Sequence, residues 1–345
     1  MQITHTTAAI LVEQQQPLQI DTIELPEQLA YGQVLVALKY SGICGSQLGE
    51  IAGVKGKDRF LPHLLGHEGS GVVLETGPGV STVASGDRVV LHWRPGCGIA
   101  AEPPKYRWKG RCLNAGWVTT FNQHAVVSEN RLTTIPSDTD LEQAALYGCA
   151  ITTGFGVINN DAALKLGESV VILGAGGVGL SMVQGAALSG GHPIVAVDLH
   201  KNRLELTRQL GATHTFEGVH PDEIHKIVGR LGADVVIDNT GNPEVIEQAY
   251  NLTKADGRTI LVGVPPHDKK TQLFSLPLHF GKTLKGSHGG DAQPTTDIPR
   301  YLKLAECGKL ALESLISDQF SLSQINEAIA GMRSGSIAGR CLITL

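Results

Sequence analysis

Aromatic residues are scarce in this chain, with 7 Phe, 6 Tyr and 3 Trp among 345 residues, so its cores must be built mainly from aliphatic side chains. Basic runs are missing too: no stretch of Lys or Arg exceeds two residues, and the formal net charge is −5. Without a basic stripe to meet a phosphate backbone, nucleic acid is not expected as a partner. The start Met1-Gln2-Ile3-Thr4-His5 has neither the basic region nor the apolar stretch of a secretory leader, and no transit-peptide composition follows, so the expected compartment is the cytoplasm. Residues 170–190 form an apolar stretch, but six glycines interrupt it, which suits a buried parallel strand and its turn and excludes a membrane span. Cysteine is sparse and irregular, at positions 44, 97, 112, 149, 307 and 341, unlike a secreted disulfide framework. Reduced thiols or metal ligands are the expectation.

What is present is length and glycine. A chain of 345 residues with 42 glycines exceeds one ordinary core and reads as two turn-rich domains. Up to about residue 135, short apolar segments at 8–12, 33–39, 71–75, 87–92 and 124–127 alternate with glycine turns, the pattern of an antiparallel, barrel-like domain. Residues 100–117 lack an apolar period and are expected to form a surface lobe. From 151 the rhythm changes to strands at 170–173, 194–198, 214–216, 234–238, 259–262 and 283–286 separated by helix-length crossovers, which predicts a six-stranded, doubly wound parallel sheet. A closing strand at 340–344 is expected to return to the first domain. The expected organisation is therefore a catalytic domain at 1–150 completed by 290–345, with a nucleotide-binding domain at 151–289 inserted between.

The apolar run Val170-Val171-Ile172-Leu173 enters Gly174-Ala175-Gly176-Gly177-Val178-Gly179 and then an apolar helix. In that context the glycines allow a tight turn, close backbone approach to a pyrophosphate and close helix packing, while the helix N-terminus offers free N–H groups. Nineteen residues beyond Gly179 the next strand ends in Asp198, which is suited to accept hydrogen bonds from an adenosine ribose and to repel a 2′-phosphate. NAD is thus the expected cofactor. Arg203, with Lys201 and His200, either adds cations near the ribose or starts a solvated helix.

Three further residues sit in glycine-punctuated strips: Cys44 in Ser41-Gly42-Ile43-Cys44-Gly45-Ser46, His67 in Gly66-His67-Glu68-Gly69, and Cys149 in Gly148-Cys149-Ala150-Ile151-Thr152-Thr153-Gly154. Two thiolates and one imidazole leave a fourth tetrahedral position open, as a catalytic zinc requires. Taken singly, each residue reads equally well as an inert core thiol or a hydrogen-bonded histidine. Together and in this order with the glycine turn, the strips resemble the zinc-dependent medium-chain alcohol dehydrogenase family over nearly the whole chain. The resemblance implies a GroES-like β-barrel catalytic domain and a Rossmann domain, with hydride transfer between an alcohol and NAD to give an aldehyde or ketone. It implies Cys44, His67 and Cys149 as zinc ligands, Glu68 as a carboxylate close to the metal, and Ser46 as the hydroxyl that passes on the alcohol proton; a helix cap is the alternative for Ser46. It also implies Val178 and Thr153 against the nicotinamide, and Val262 and Val264 in the cofactor cleft. Residues 273–286 resemble the edge through which members form symmetric homodimers or homotetramers.

Departures from the family pattern qualify that picture. Members with a structural zinc carry four close cysteines in the lobe; here Cys97 and Cys112 remain, but Ala100 and Pro103 stand in place of the middle two. One catalytic zinc and no structural zinc are expected, with Cys97 and Cys112 more readily free thiols than a disulfide. Gln47 replaces a frequent acid that orients the imidazole, and is expected to accept its ring N–H. Gly49 stands where some members end the proton relay in a histidine. The substrate wall reads His92-Trp93-Arg94, and Trp93 with Arg94 suggests a larger, polar, sugar-like or anionic alcohol. Two competitors are a zinc-free NAD(P)H-dependent reductase of activated alkenes on the same fold, and a non-catalytic NAD-binding protein.

Overall fold

The computed structural model describes residues 3–345; Met1 and Gln2, part of the stretch read for a leader, lie outside the described residues. Two units emerge from the chain's internal contacts. The first comprises residues up to Cys149 with Gln293–Glu306 and Ile316–Leu345, and the second Ala150–Ala292 with Cys307–Leu315.

Two sheets make up most of the first unit. One is five-stranded and antiparallel, in the order His63–Leu64, His5–Leu11, Gln19–Glu24, Tyr106–Trp108, Arg111–Leu113. The other has seven strands centred on Gln33–Gly42. The two-residue period of that strand explains its central place: Val34, Val36 and Leu38 enter one apolar cluster, while Leu35 enters another on the opposite face. The last strand, Arg340–Thr344, runs antiparallel to Gln33–Gly42, with Leu342 opposite Gly42 and Ile343 opposite Ser41. Ile43 N–H donates to the Cys341 carbonyl at 3.1 Å, which brings the end of the chain against the Cys44 turn.

The lobe at 100–117 is more ordered than its sequence suggests. It contains the hairpin Tyr106–Trp108 and Arg111–Leu113, turning through Lys109 and Gly110, both at positive φ. Tyr106, Trp108 and Leu113 are buried in the core of the five-stranded sheet. Three-residue strands are too short to display an apolar period.

In the second unit, six parallel strands run in the order His214–Glu217, Ile194–Asp198, Val170–Leu173, Ala233–Asp238, Thr253–Leu261, Thr283–Gly286. Val170–Leu173 and Ile194–Asp198 are buried throughout, as strands covered on both faces must be. The order reverses beside Val170–Leu173, and that reversal opens a crevice beyond the carboxyl ends of the strands. Among the described residues no helix is long and apolar enough to cross a membrane.

Candidate functional site

Cys44, His67 and Cys149 lie together in the first unit, with one ligand atom from each within 4.8 Å of the others. Local backbone positions each of them. Cys44 is the extended N-cap of the helix Gly45–Ala52, and Cys149 follows the short helical turn Ala145–Gly148. His67 follows Gly66, whose φ of +89° and close packing on the Thr120 hydroxyl admit only glycine. The two sulfurs are 3.9 Å apart. His67 Nε2 is buried and has no hydrogen-bond partner. A buried polar nitrogen without a partner is costly, and facing two soft thiols it fits a zinc ion in particular. The Cys149 thiol beside Cys44 holds the Cys44 pKa well below the usual thiol range; burial opposes this, and His67 and Arg340 reinforce it.

Gln47 behaves differently from expectation. Its Oε1 accepts the Cys44 N–H at 2.8 Å, which leaves its Nε2 2.5 Å from His67 Nδ1. The amide therefore presents its nitrogen to the ring instead of accepting the ring N–H, because its oxygen is already committed to closing the helix N-terminus. Gln47, not Ser46, supplies the cap, and Ser46 is exposed at the second helical position. Gly49 lies in the same helix, one turn beyond the cap.

Glu68 is fully buried behind the trio and forms an ion pair with Arg340, which is itself 3% exposed. Sequence reading singled out Glu68 but not Arg340. An arginine opening an apolar strand carries no local signal; the pairing of the last strand with residues 40–42 delivers it. Trp93 leans on the trio, its ring 6.4 Å from that of His67, and Arg94 lies over Trp93 with Cζ 5.9 Å from the ring centroid. His92 is fully buried and holds the turn: its Nδ1 donates to the Arg94 carbonyl at 2.7 Å and its Nε2 meets the Thr133 hydroxyl at 2.9 Å. Burial pushes the His92 pKa down to about 4, so the ring is neutral.

Where family members place four cysteines, Cys97 and Cys112 are exposed free thiols and belong to no ligand cluster among the described residues. A buried carboxylate ties the start of the lobe down instead. Glu129 accepts from Ser81 N–H at 2.7 Å, from the Thr82 N–H at 2.8 Å and hydroxyl at 2.9 Å, and from Ile99 N–H at 2.7 Å. Burial raises its pKa, but these donors outweigh burial and leave it below the usual carboxylate range.

In the second unit the helix Gly177–Leu188 begins at Gly176 with no side-chain cap, and the space where a Gly176 side chain would stand is open. Gly179 packs so closely on the Gly174 carbonyl that a methyl group would collide with it. These are the features of an anion cradle at a helix N-terminus. Asp198 Oδ2 accepts the Ala175 N–H at 2.7 Å, Oδ1 accepts the His200 N–H at 2.9 Å, and Arg203 Nη1 stands 3.7 Å from Oδ1. Val178 is half-buried at the helix start, Thr153 is buried with its hydroxyl unbonded, Val262 is half-buried and Val264 is 66% exposed. Sequence reading missed Asp238, a fully buried carboxylate that receives Thr240 Oγ1 at 2.6 Å and Gly241 N–H at 3.0 Å and so shapes the loop after its strand.

Comparison with known proteins agrees with both halves. Residues 30–137 match the alcohol dehydrogenase GroES-like domain, and residues 177–306 match the zinc-binding dehydrogenase domain. The class-3 alcohol dehydrogenase of Cereibacter sphaeroides is 31% identical, over 96% of this chain and 97% of its own. Among solved structures, an alcohol dehydrogenase zinc-binding domain protein from Burkholderia ambifaria superposes with a TM-score of 0.90 at 30% identity, covering 99% of each chain. Benzyl alcohol dehydrogenase from Acinetobacter calcoaceticus superposes with a TM-score of 0.89 at 27% identity, covering 99% of this chain and 100% of its own.

Proposed function

The chain belongs to the zinc-dependent medium-chain alcohol dehydrogenase family, and from that premise we propose that it oxidises alcohols with NAD, using one zinc ion per chain at Cys44, His67 and Cys149. The observation that carries this reading is the convergence of two thiols on the buried, unpartnered Nε2 of His67. When bound there, zinc supplies Lewis-acid polarisation of an alcohol or carbonyl oxygen, and NAD supplies the hydride acceptor.

The chain's own residues do the rest. The Cys44 and Cys149 sulfurs and His67 Nε2 hold the ion, and Gln47 lies against the far side of the imidazole. Glu68, neutralised by Arg340, keeps a carboxylate close to the metal without leaving an isolated buried charge. Ser46, exposed beside Cys44, receives the alcohol proton at its hydroxyl and passes it to solvent. Trp93 walls one side of the metal. Gly174, Gly176, Gly177 and Gly179 cradle the pyrophosphate, Asp198 and Arg203 meet the adenosine ribose, and Thr153, Val178, Val262 and Val264 contact the cofactor. The exposed side chains Phe274, Leu276 and Phe280, next to the edge strand Thr283–Gly286, are the pairing surface of a homo-oligomer, and the protein works in the cytoplasm. No structural zinc is held by Cys97 and Cys112.

Metal analysis and an alcohol screen followed by NADH absorbance test this reading together. About one zinc per chain is expected, and Cys44→Ala is expected to lose nearly all alcohol oxidation. A variant that keeps full activity, or a wild type that retains two tightly held zinc ions or none, would count against it; full activity in Cys44→Ala on an activated alkene is what the zinc-free reductase predicts.

A further inference from the structure

Apart from the trio, a second group of metal-ligating side chains converges among the described residues: Glu50, Asp58 and His63, with one donor atom from each within 4.8 Å of the others. Glu50 lies near the end of the helix Gly45–Ala52, Asp58 in the loop that follows it, and His63 at the start of the strand His63–Leu64. His63 Nε2 stands 2.7 Å from Asp58 Oδ2 and 3.9 Å from Glu50 Oε1. Two of the three are aimed by a bond made at the other end of the group. His63 Nδ1 lies 2.9 Å from the Leu64 carbonyl, and since a carbonyl only accepts, that nitrogen donates and Nε2 is the atom presented to the carboxylates. Asp58 Oδ1 accepts the Phe60 N–H at 2.7 Å, which leaves Oδ2 for the cluster. The loop itself is held by Gln14, whose Oε1 accepts the Asp58 N–H at 3.2 Å and whose Nε2 donates to the Gly56 carbonyl at 3.1 Å. A histidine braced on a main-chain carbonyl and a carboxylate braced on a main-chain N–H are the supports that metal ligands ordinarily have. The His63 and Asp58 side chains are 9% and 10% exposed and that of Glu50 is 43% exposed, so the group is walled by protein and opens to solvent at Glu50, as an entering ion requires.

We propose that Glu50, Asp58 and His63 bind a divalent transition-metal ion at a site separate from the thiol–imidazole trio. Two carboxylates facing one imidazole carry more negative charge than the ring can balance, and a divalent cation balances it. Two oxygens and one nitrogen, with no sulfur, suit Mn²⁺ or Zn²⁺ completed by water, and hold the ion less tightly than two thiolates hold zinc. The ion is exchangeable and leaves on desalting, so the tightly held zinc stays at about one per chain. Its position has a structural consequence. It joins the helix that begins after Cys44 to the strand that leads into His67, and so pins the loop between them.

Mn²⁺ titrated into desalted protein that retains its tightly held zinc tests this, with free Mn²⁺ read from its electron paramagnetic resonance signal. Thiolates take Mn²⁺ poorly, so the trio does not compete. One saturable Mn²⁺ per chain is expected, with affinity at least about tenfold lower in Glu50→Gln and in Asp58→Asn. Added Zn²⁺ should release that Mn²⁺, because a site of this kind prefers zinc to manganese. Lys55, Lys57 and Arg59 in the same loop are exposed, and tryptic cleavage after them should slow severalfold with Mn²⁺ in the wild type but not in Glu50→Gln. If Asp58→Asn fails to fold, Glu50→Gln, which changes a partly exposed side chain, decides the question alone. No saturable binding up to about 1 mM, or equal affinity in wild type and variants, overturns the proposal and leaves a His63–Asp58 hydrogen bond with a surface glutamate beside it. Mn²⁺ that excess zinc does not displace, or cleavage as fast with the ion as without it, likewise counts against the site.

Discussion

Gln47 is asked to serve two neighbours with one amide. Its oxygen caps the helix at the Cys44 N–H and its nitrogen faces His67 Nδ1. A histidine that ligates through Nε2 carries its proton on Nδ1, and such a proton needs an acceptor. The two oxygens of a glutamate at this position match the demand, one for Cys44 N–H and one for the ring N–H. Gln47→Glu is therefore expected to raise zinc affinity about tenfold, read by competition with a chelator; unchanged or weaker binding would show that the amide already satisfies the ring. The same residue marks a limit of sequence reading. That a neutral side chain stands near the imidazole was legible from its spacing to Cys44, whereas which of its atoms faces the ring depended on a helix cap that only coordinates reveal.

Elements supply the next set of constraints. The segment around Ile99 and the loop at 81–82 meet on Glu129, which accepts four hydrogen bonds. Removing the carboxylate leaves four part-buried donors without their acceptor, so Glu129→Ala is expected to cost about 1–3 kcal/mol in urea unfolding, with the lobe becoming the first proteolytic target. Because the folded pKa lies below the ordinary 4.5, the folded chain releases this proton more readily than the unfolded one. The stabilisation is then full above pH 4.5 and is lost as pH falls below it; comparing wild type with Glu129→Gln on either side of that value isolates the contribution. At the nucleotide turn, Asp198 connects the end of one strand to the glycine turn through Ala175. Asp198→Ala is expected to weaken NAD by roughly tenfold or more while improving NADP relative to NAD, since a ribose acceptor is lost and the repulsion of a 2′-phosphate is lifted beside Arg203. Fluorescence titration with the two reduced cofactors measures both changes, and an unaltered cofactor ratio would contradict the assignment.

At the scale of the whole molecule, apolar side chains beside the last parallel strand bear on assembly: Phe274 and Phe280 are 70% and 76% exposed. Exposed aromatics flanking an unpaired edge favour pairing between copies. Sedimentation should find a dimer or tetramer, and Phe280→Glu should shift it toward monomer; a wild type that sediments as a monomer would remove this surface from the proposal. The six parallel strands, the dinucleotide turn, its acidic partner and the three metal-ligand candidates were all readable in the linear order of residues. Those features rest on short-range rules: strand period, glycine geometry, and the chemistry of thiol and imidazole. The hairpin in the lobe, the Arg340 partner of Glu68, the clamp made by Glu129 and the pairing of Arg131 with Trp117 were not readable. The strands of the hairpin are too short to show a period, the other contacts join separate segments through packing and sheet register, and a buried charge reveals its partner only once the fold has closed around it. The sequence by itself thus determined that a nucleotide turn and a thiol–imidazole trio exist, while the tertiary structure decided what surrounds them, because the cost of burying charge without a partner is set by neighbours that the chain order does not name.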